Sequence, residues 1–211
     1  MAVAGNDGTV EVRGMGWQGP KWCKQDSDEW IEVMSWSPCG TMLAVGSHDQ
    51  RTYIYKSDGT LCGKLVGHSS SILSIDWTCD GSYMRTTCAA HEVLYWDIPA
   101  CTQDKNGRSN GTTKEWASKT AHFGWDVDGI FPRGTDGTHI NSVGGSPDGC
   151  LVATGDDYGL VRIFNDPCRP GSKPKSFRGH SEHVVRVIFF DDDCMFSIGG
   201  QDKTVIQWEK C

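Results

Sequence analysis

The stretch SPCGTMLAVGSHDQRTYIY, Ser37 to Tyr55, returns 109 residues later as SPDGCLVATGDDYGLVRIF, Ser146 to Phe164. Each begins with a Pro-x-Gly turn and continues into a short apolar run with no strong alternation, as a strand buried on both faces does. Small residues ending on an acidic side chain follow, the composition of a tight hairpin, and then an alternating strand. A chain that repeats its turn chemistry in this way repeats a structural unit.

Two further copies extend the pattern: TCDGSYMRTTCAAHEVLYWD, Thr78 to Asp97, and DDDCMFSIGGQDKTVIQWEK, Asp191 to Lys210. A truncated copy, AVAGNDGTVEV, opens the chain at Ala2 to Val12. The turn glycines Gly40 and Gly81 stand 41 residues apart, within the ~40–45-residue period of four-stranded propeller blades. Alternating strands precede the turns, as in IEVMSW (Ile31 to Trp36), ILSIDW (Ile72 to Trp77) and VVRVIFF (Val184 to Phe190). Helix signals are nearly missing. The sequence therefore predicts an all-β partial propeller over residues 1–211, with units at about 1–14, 29–56, 62–98, 119–166 and 174–210. Seven such blades would need about 290 residues at this period. The expectation is thus an open arc, belonging to a longer propeller or completed by another polypeptide.

These units resemble WD-repeat blades. Gly67-His68 and Gly179-His180 stand before inner strands, and Trp96-Asp97 closes one copy. The resemblance implies a buried hydrogen-bond network of His, hairpin Asp and closing Trp, which His180, Asp202 and Trp208 fit in the last copy and His68 and Trp96 in the second. Ala90 stands where the second copy would carry its hairpin Asp, predicting a softer unit there. Two longer stretches are narrower in kind: EWIEVMSWSPCGTMLAVGSHDQ (Glu29 to Gln50) and FGWDVDGIFPRGTDGTHINSV (Phe123 to Val143). With HEVLYWDI (His91 to Ile98), they resemble the echinoderm microtubule-associated protein-like family, in the C-terminal part of its tandem propeller region. That resemblance implies a non-catalytic scaffold binding tubulin or axonemal proteins, in the cytoskeleton or cilium. A generic WD-repeat adaptor of a ubiquitin ligase or trafficking complex is the alternative.

Composition narrows the chemistry. A net charge of −7 disfavours duplex nucleic acid as the main partner. The longest apolar runs fall well short of the roughly 18–20 residues of a membrane span, and the opening segment lacks the basic and apolar regions of a secretory signal. The ten cysteines contain no C-x-x-C pair, which argues against a locally closed zinc site; a reducing cytoplasm suits them best. Cys88, Cys150 and Cys194 are read as small apolar fillers of strands. The motif Gly14-Met-Gly-Trp-Gln-Gly19 spells G-x-G-x-x-G, yet Pro20 and Trp22 follow with no helical period. A dinucleotide site needs a helix to begin there, so an inter-blade loop is the reading. No H-E-x-x-H motif occurs, and Asp191-Asp192-Asp193 fills the turn that Pro-Asp-Gly fills elsewhere. No catalytic residue, cofactor or metal is therefore expected.

What remains are candidate partner contacts. In CRPGSKPKSFRGH, Cys168 to His180, the four cations Arg169, Lys173, Lys175 and Arg178 occur with no acidic residue among them, a local patch for an acidic protein surface. Of the nine tryptophans, Trp36, Trp77, Trp96 and Trp208 fall at repeated strand positions and are read as core. Trp17, Trp22 and Trp116 fall in linkers, where an indole either stands exposed as an interface anchor or packs under a neighbouring loop.

Overall fold

The computed structural model describes residues 1–14, 16, 19–131 and 139–210. They form five antiparallel sheets in which strands adjacent in sequence pair as neighbours. Cα packing divides the chain into two compact units, Met1–Ala117 and Ser118–Cys211.

The first unit holds three sheets. The opening sheet contains β1 (Ala2–Ala4), β2 (Thr9–Arg13) and β3 (Pro20–Gln25). The next contains β4 (Ile31–Trp36), β5 (Met42–Ser47), β6 (Arg51–Lys56) and β7 (Leu61–Val66). The third contains β8 (Ile72–Trp77), β9 (Tyr83–Cys88), β10 (Val93–Asp97) and the short β11 (Thr102–Gln103). Alternation along the strands builds two layers of core. One face of the β4–β7 sheet lays Leu43, Val45, Tyr53 and Tyr55 on Val10, Val12 and Trp22 of the opening sheet. Its other face lays Val33, Ala44, Ile54 and Leu65 on Ile72, Ile75, Trp77, Met84 and Trp96. The middle strands β5 and β9 are buried on both faces, as the unbroken apolar and small-residue run of β5 implies.

Behind β10 a five-residue helix, α1 (Gly107–Gly111), sits against Tyr95. A Cβ on Gly107 would lie 2.2 Å from that of Tyr95, so only glycine permits the approach. This helix falls in a segment whose sequence carries no helical period.

The second unit holds two sheets: β12 (Ile140–Gly145), β13 (Leu151–Asp156), β14 (Leu160–Asn165) and β15 (Lys175–Arg178), then β16 (Val184–Phe189), β17 (Cys194–Gly199) and β18 (Val205–Glu209). Ala153 and Val161 pack on Val184, Val187 and Met195 between them. The other face of β12–β14 receives Val127 and Ile130 from the segment around a 3-10 turn, Asp128–Ile130, within the family-resembling stretch Phe123 to Val143. No helix of the described residues is long and apolar enough to cross a membrane.

Two sequence expectations are corrected here. Cys88 is buried, but Cys150 is exposed in the turn before β13 and Cys194 is only half-buried, so neither of these fills a core. Trp22 belongs to a strand, not a linker. It is 9% exposed, its indole N–H donates to the Ser57 carbonyl at 3.0 Å, and its ring lies over Gly59, where a Cβ would meet Cγ at 2.7 Å. An indole enclosed in this way belongs to the core and cannot anchor a partner.

Candidate functional site

Two places concentrate chemistry: the hairpin networks and the basic edge strand. The network is simplest in the β16–β18 sheet. His180, buried ahead of β16, places Nδ1 3.0 Å from Asp202 Oδ2 and Nε2 2.7 Å from Ser197 Oγ. The indole N–H of Trp208 donates to the same Ser197 oxygen at 2.8 Å. A carboxylate only accepts, so the His180 proton sits on Nδ1, and Nε2 accepts from the Ser197 hydroxyl. The Ser181 amide also donates to Asp202, at 3.2 Å. The three residues singled out in sequence thus meet, joined by Ser197, which sequence reading did not single out.

The β8–β11 sheet reaches the same end by another route. Trp96 donates to Thr86 Oγ1 at 2.8 Å, and His68 Nε2 lies 2.7 Å from that oxygen. Ala90 supplies nothing, but Glu92 does. Its Oε2 accepts from the Ser69 amide at 2.8 Å, and its Oε1 from the Ser69 hydroxyl at 2.9 Å. The β9–β10 hairpin has three residues between Cys88 and Glu92, where the β17–β18 hairpin has four between Gly199 and Thr204, and both close with the same backbone bond. Shortening the loop deletes the aspartate and moves a longer carboxylate into its place. The expectation of a vacant acidic position is corrected accordingly. The Ser69 bonds hold the Glu92 carboxyl down at about 2, and burial lowers the His68 imidazole below its ordinary value.

The basic stretch has the opposite character. Arg169, Lys173, Lys175 and Arg178 are all exposed, and among the described residues none of the four enters an ion pair. Lys175 and Arg178 begin and end β15, the outer strand of its sheet, which pairs only with β14. Successive side chains point to opposite faces, so Lys175 and Phe177 share one face and Ser176 and Arg178 the other. Phe177, 37% exposed, rests on Trp208 at 5.7 Å between ring centres.

The remaining candidates separate. Trp17 lies outside the described residues. Trp116 is half-buried: its ring lies 6.3 Å from both Tyr83 and Tyr95, Arg85 stacks on it at 4.8 Å, and its N–H donates to the Gly111 carbonyl. Arg85 in turn pairs with Asp76 inside the sheet at 2.9 Å, both side chains being almost fully buried. Trp116 therefore caps a buried ion pair, the packed one of its two sequence readings and not the exposed anchor. Among the described residues of this unit the exposed indole is Trp30, 52% exposed and 5.7 Å from the His48 ring. It immediately precedes β4, and its sequence position carries no signal that separates it from the core tryptophans. The Asp191–Asp193 turn is tied internally: Asp192 accepts from the Asp148 amide and Asp191 from the Asp193 amide.

Comparison with known proteins gives the same architecture a lineage. Residues 1–210 match the family model described as the echinoderm microtubule-associated protein second beta-propeller. The ciliary WD repeat-containing protein ctxp80 of Euplotoides octocarinatus is 50% identical over 214 residues, covering 100% of this chain and 30% of that protein. Human echinoderm microtubule-associated protein-like 2 is 43% identical over 190 residues, covering 87% of this chain and 29% of that protein. The chain thus spans under a third of the length of these relatives. A chain in the crystal structure of the mitotic checkpoint complex superposes with a TM-score of 0.74 at 15% identity, over 99% of this chain and 70% of that one; at that identity the likeness speaks for fold alone. With the family match over nearly its whole length, the chain belongs to the echinoderm microtubule-associated protein family, as WD-repeat blades of its second β-propeller.

Proposed function

We propose that the chain is a non-catalytic scaffold which meets tubulin, or proteins of a microtubule-based structure such as the axoneme, through Arg169, Lys173, Lys175 and Arg178. The observation that carries this reading is four exposed cations, without an ion pair among the described residues, on and beside an edge strand of a chain with net charge −7. A local positive field steers an acidic partner toward one face. The names of the relatives, microtubule-associated in one case and ciliary in the other, support a cytoskeletal or ciliary partner over an unrelated one.

Co-sedimentation with microtubules at low and moderate salt tests the reading. The wild-type chain should pellet with microtubules at low salt and progressively less as salt rises, because exposed charges are screened within about 10 Å at 0.1 M. The fourfold variant R169E/K173E/K175E/R178E should remain in the supernatant while keeping its thermal melt. Unchanged pelleting of that variant at low salt would overturn the assignment of the surface.

A further inference from the structure

The shortened β9–β10 hairpin does more than replace an aspartate. In the β16–β18 sheet the residue ending the second strand is Gly199, and a Cβ there would fall 1.9 Å from Asp202 Oδ1 and 2.6 Å from His180 Nδ1. The carboxylate fills that space. In the β8–β11 sheet the matching residue is Cys88, fully buried, and the carboxylate comes instead from Glu92, four residues along and across the hairpin. The thiol therefore enters the space beside the histidine. Cys88 Sγ stands 3.2 Å from Glu92 Oε2, and His68 Nδ1 stands 3.5 Å from the same oxygen. All three donor atoms lie within 4.8 Å of one another. His68 Nδ1 is itself without a hydrogen bond, on a side chain only 1% exposed, and it points into the cluster. In the sister network His180 Nδ1 makes its bond at 3.0 Å.

We propose that His68, Cys88 and Glu92 form a binding site for one zinc-class divalent cation, held by imidazole nitrogen, thiolate and carboxylate with water as the fourth ligand. Tetrahedral zinc takes nitrogen and oxygen at about 2.1 Å and sulfur at about 2.3 Å, which sets neighbouring ligand atoms roughly 3.4–3.6 Å apart. The two contacts to Glu92 are already near that spacing. The mixed nitrogen, sulfur and oxygen set selects a borderline-soft cation such as zinc over magnesium or calcium, which require oxygen ligands. Outer contacts are in place as well: Thr86 stands at the far nitrogen of His68, and Ser69 holds both oxygens of Glu92. Such contacts orient the ligands of known sites. On binding, the Cys88 S–H bond breaks, sulfur keeps the electron pair as the thiolate ligand, and the proton passes to solvent. His68 binds as the neutral imidazole through the Nδ1 lone pair, its proton on Nε2 facing Thr86. With one thiolate and one carboxylate, the bound dication is neutralised.

The site escapes the usual search for paired cysteines because its ligands come from a loop, a strand end and a hairpin, with 19 residues between His68 and Cys88. A chelator-treated sample of the chain titrated with Co2+ under reducing conditions tests the proposal. The expected result is one Co2+ per chain with thiolate-to-cobalt charge-transfer absorption, lost on adding Zn2+. Cys88→Ser should abolish that absorption and Glu92→Gln should weaken binding tenfold or more, both with unchanged far-UV circular dichroism. Cys39→Ser, which removes an exposed thiol whose pKa is lowered to about 7, should change neither. Should Cys88→Ser fail to fold, the Glu92→Gln shift alone decides. Absence of the charge-transfer band, its survival in Cys88→Ser, or Glu92→Gln binding as tightly as wild type would overturn the site.

Discussion

At the scale of single residues, the two complete hairpin networks differ in how firmly each is locked. Trp96 is 2% exposed and sits in a cluster of aliphatic neighbours, whereas Trp208 is half-buried at the rim of its own. Trp96→Ala should therefore cost about 3–5 kcal/mol, as deep tryptophan truncations do, and Trp208→Ala distinctly less; paired denaturant melts decide the order. Glu92 gives a pH signature. Its folded pKa of about 2 lies below the ordinary carboxylate value because of the Ser69 backbone bond first, then Cys88 and the Ser69 hydroxyl. A depressed carboxylate stabilises the folded chain above its unfolded pKa, and that contribution fades as pH falls from the ordinary carboxylate value toward about 2. Burial of neutral His68 acts in the same sense, since unfolding in mild acid lets the ring take up a proton. Glu92→Gln should accordingly lower the denaturation midpoint at pH 7, and the gap to wild type should shrink between about pH 5 and pH 3. A gap that stays constant across that range would mean that the charge on Glu92 does not matter.

At the scale of elements, the hairpins share one backbone device. Gly8, His91, Gly159 and Lys203 all have positive φ, and each donates its amide to the carbonyl three residues earlier. Non-glycine residues hold the position in two hairpins, but Gly159 has no such freedom: a Cβ there would lie 2.5 Å from the His180 carbonyl oxygen. Gly159→Ala should destabilise the second unit by more than the roughly 1–2 kcal/mol of left-handed strain alone, while Lys203→Gly should be tolerated; thermal melts of the two variants check this. The same hairpins show what the sequence could and could not reveal. Turn glycines, alternating β4, β8 and β16, and apolar β5 and β13 were legible because burial writes a period into the chain. The outer strands β3, β7, β11 and β15 were not, since an edge strand is exposed and polar and imposes no pattern. Trp22 was misplaced for that reason, its strand starting at a proline with five exposed residues around one buried indole. Glu92 was missed because a one-residue deletion moves the carboxylate out of register, which only the backbone bonds of the hairpin reveal.

At the scale of the whole molecule, charge is distributed unevenly in a way that the net value hides. A second group of cations in the sequence, Lys105, Arg108, Lys114 and Lys119, is partly spent inside the fold: Lys119 pairs with Asp166 and Lys114 lies over the Tyr83 ring at 5.3 Å. The cations from Arg169 to Arg178 are not, and β15 presents them from an outer strand. A contact that rests on them should be made by lysine amines lying against carboxylates. Zero-length carbodiimide coupling of the chain to microtubules, read by peptide mass spectrometry, measures that contact directly. The account predicts amide cross-links from Lys173 and Lys175 to acidic side chains of tubulin, disappearing as salt is raised. Cross-links confined to Lys105 and Lys114, or a chain that couples to microtubules with Lys173 and Lys175 unmodified, would contradict it.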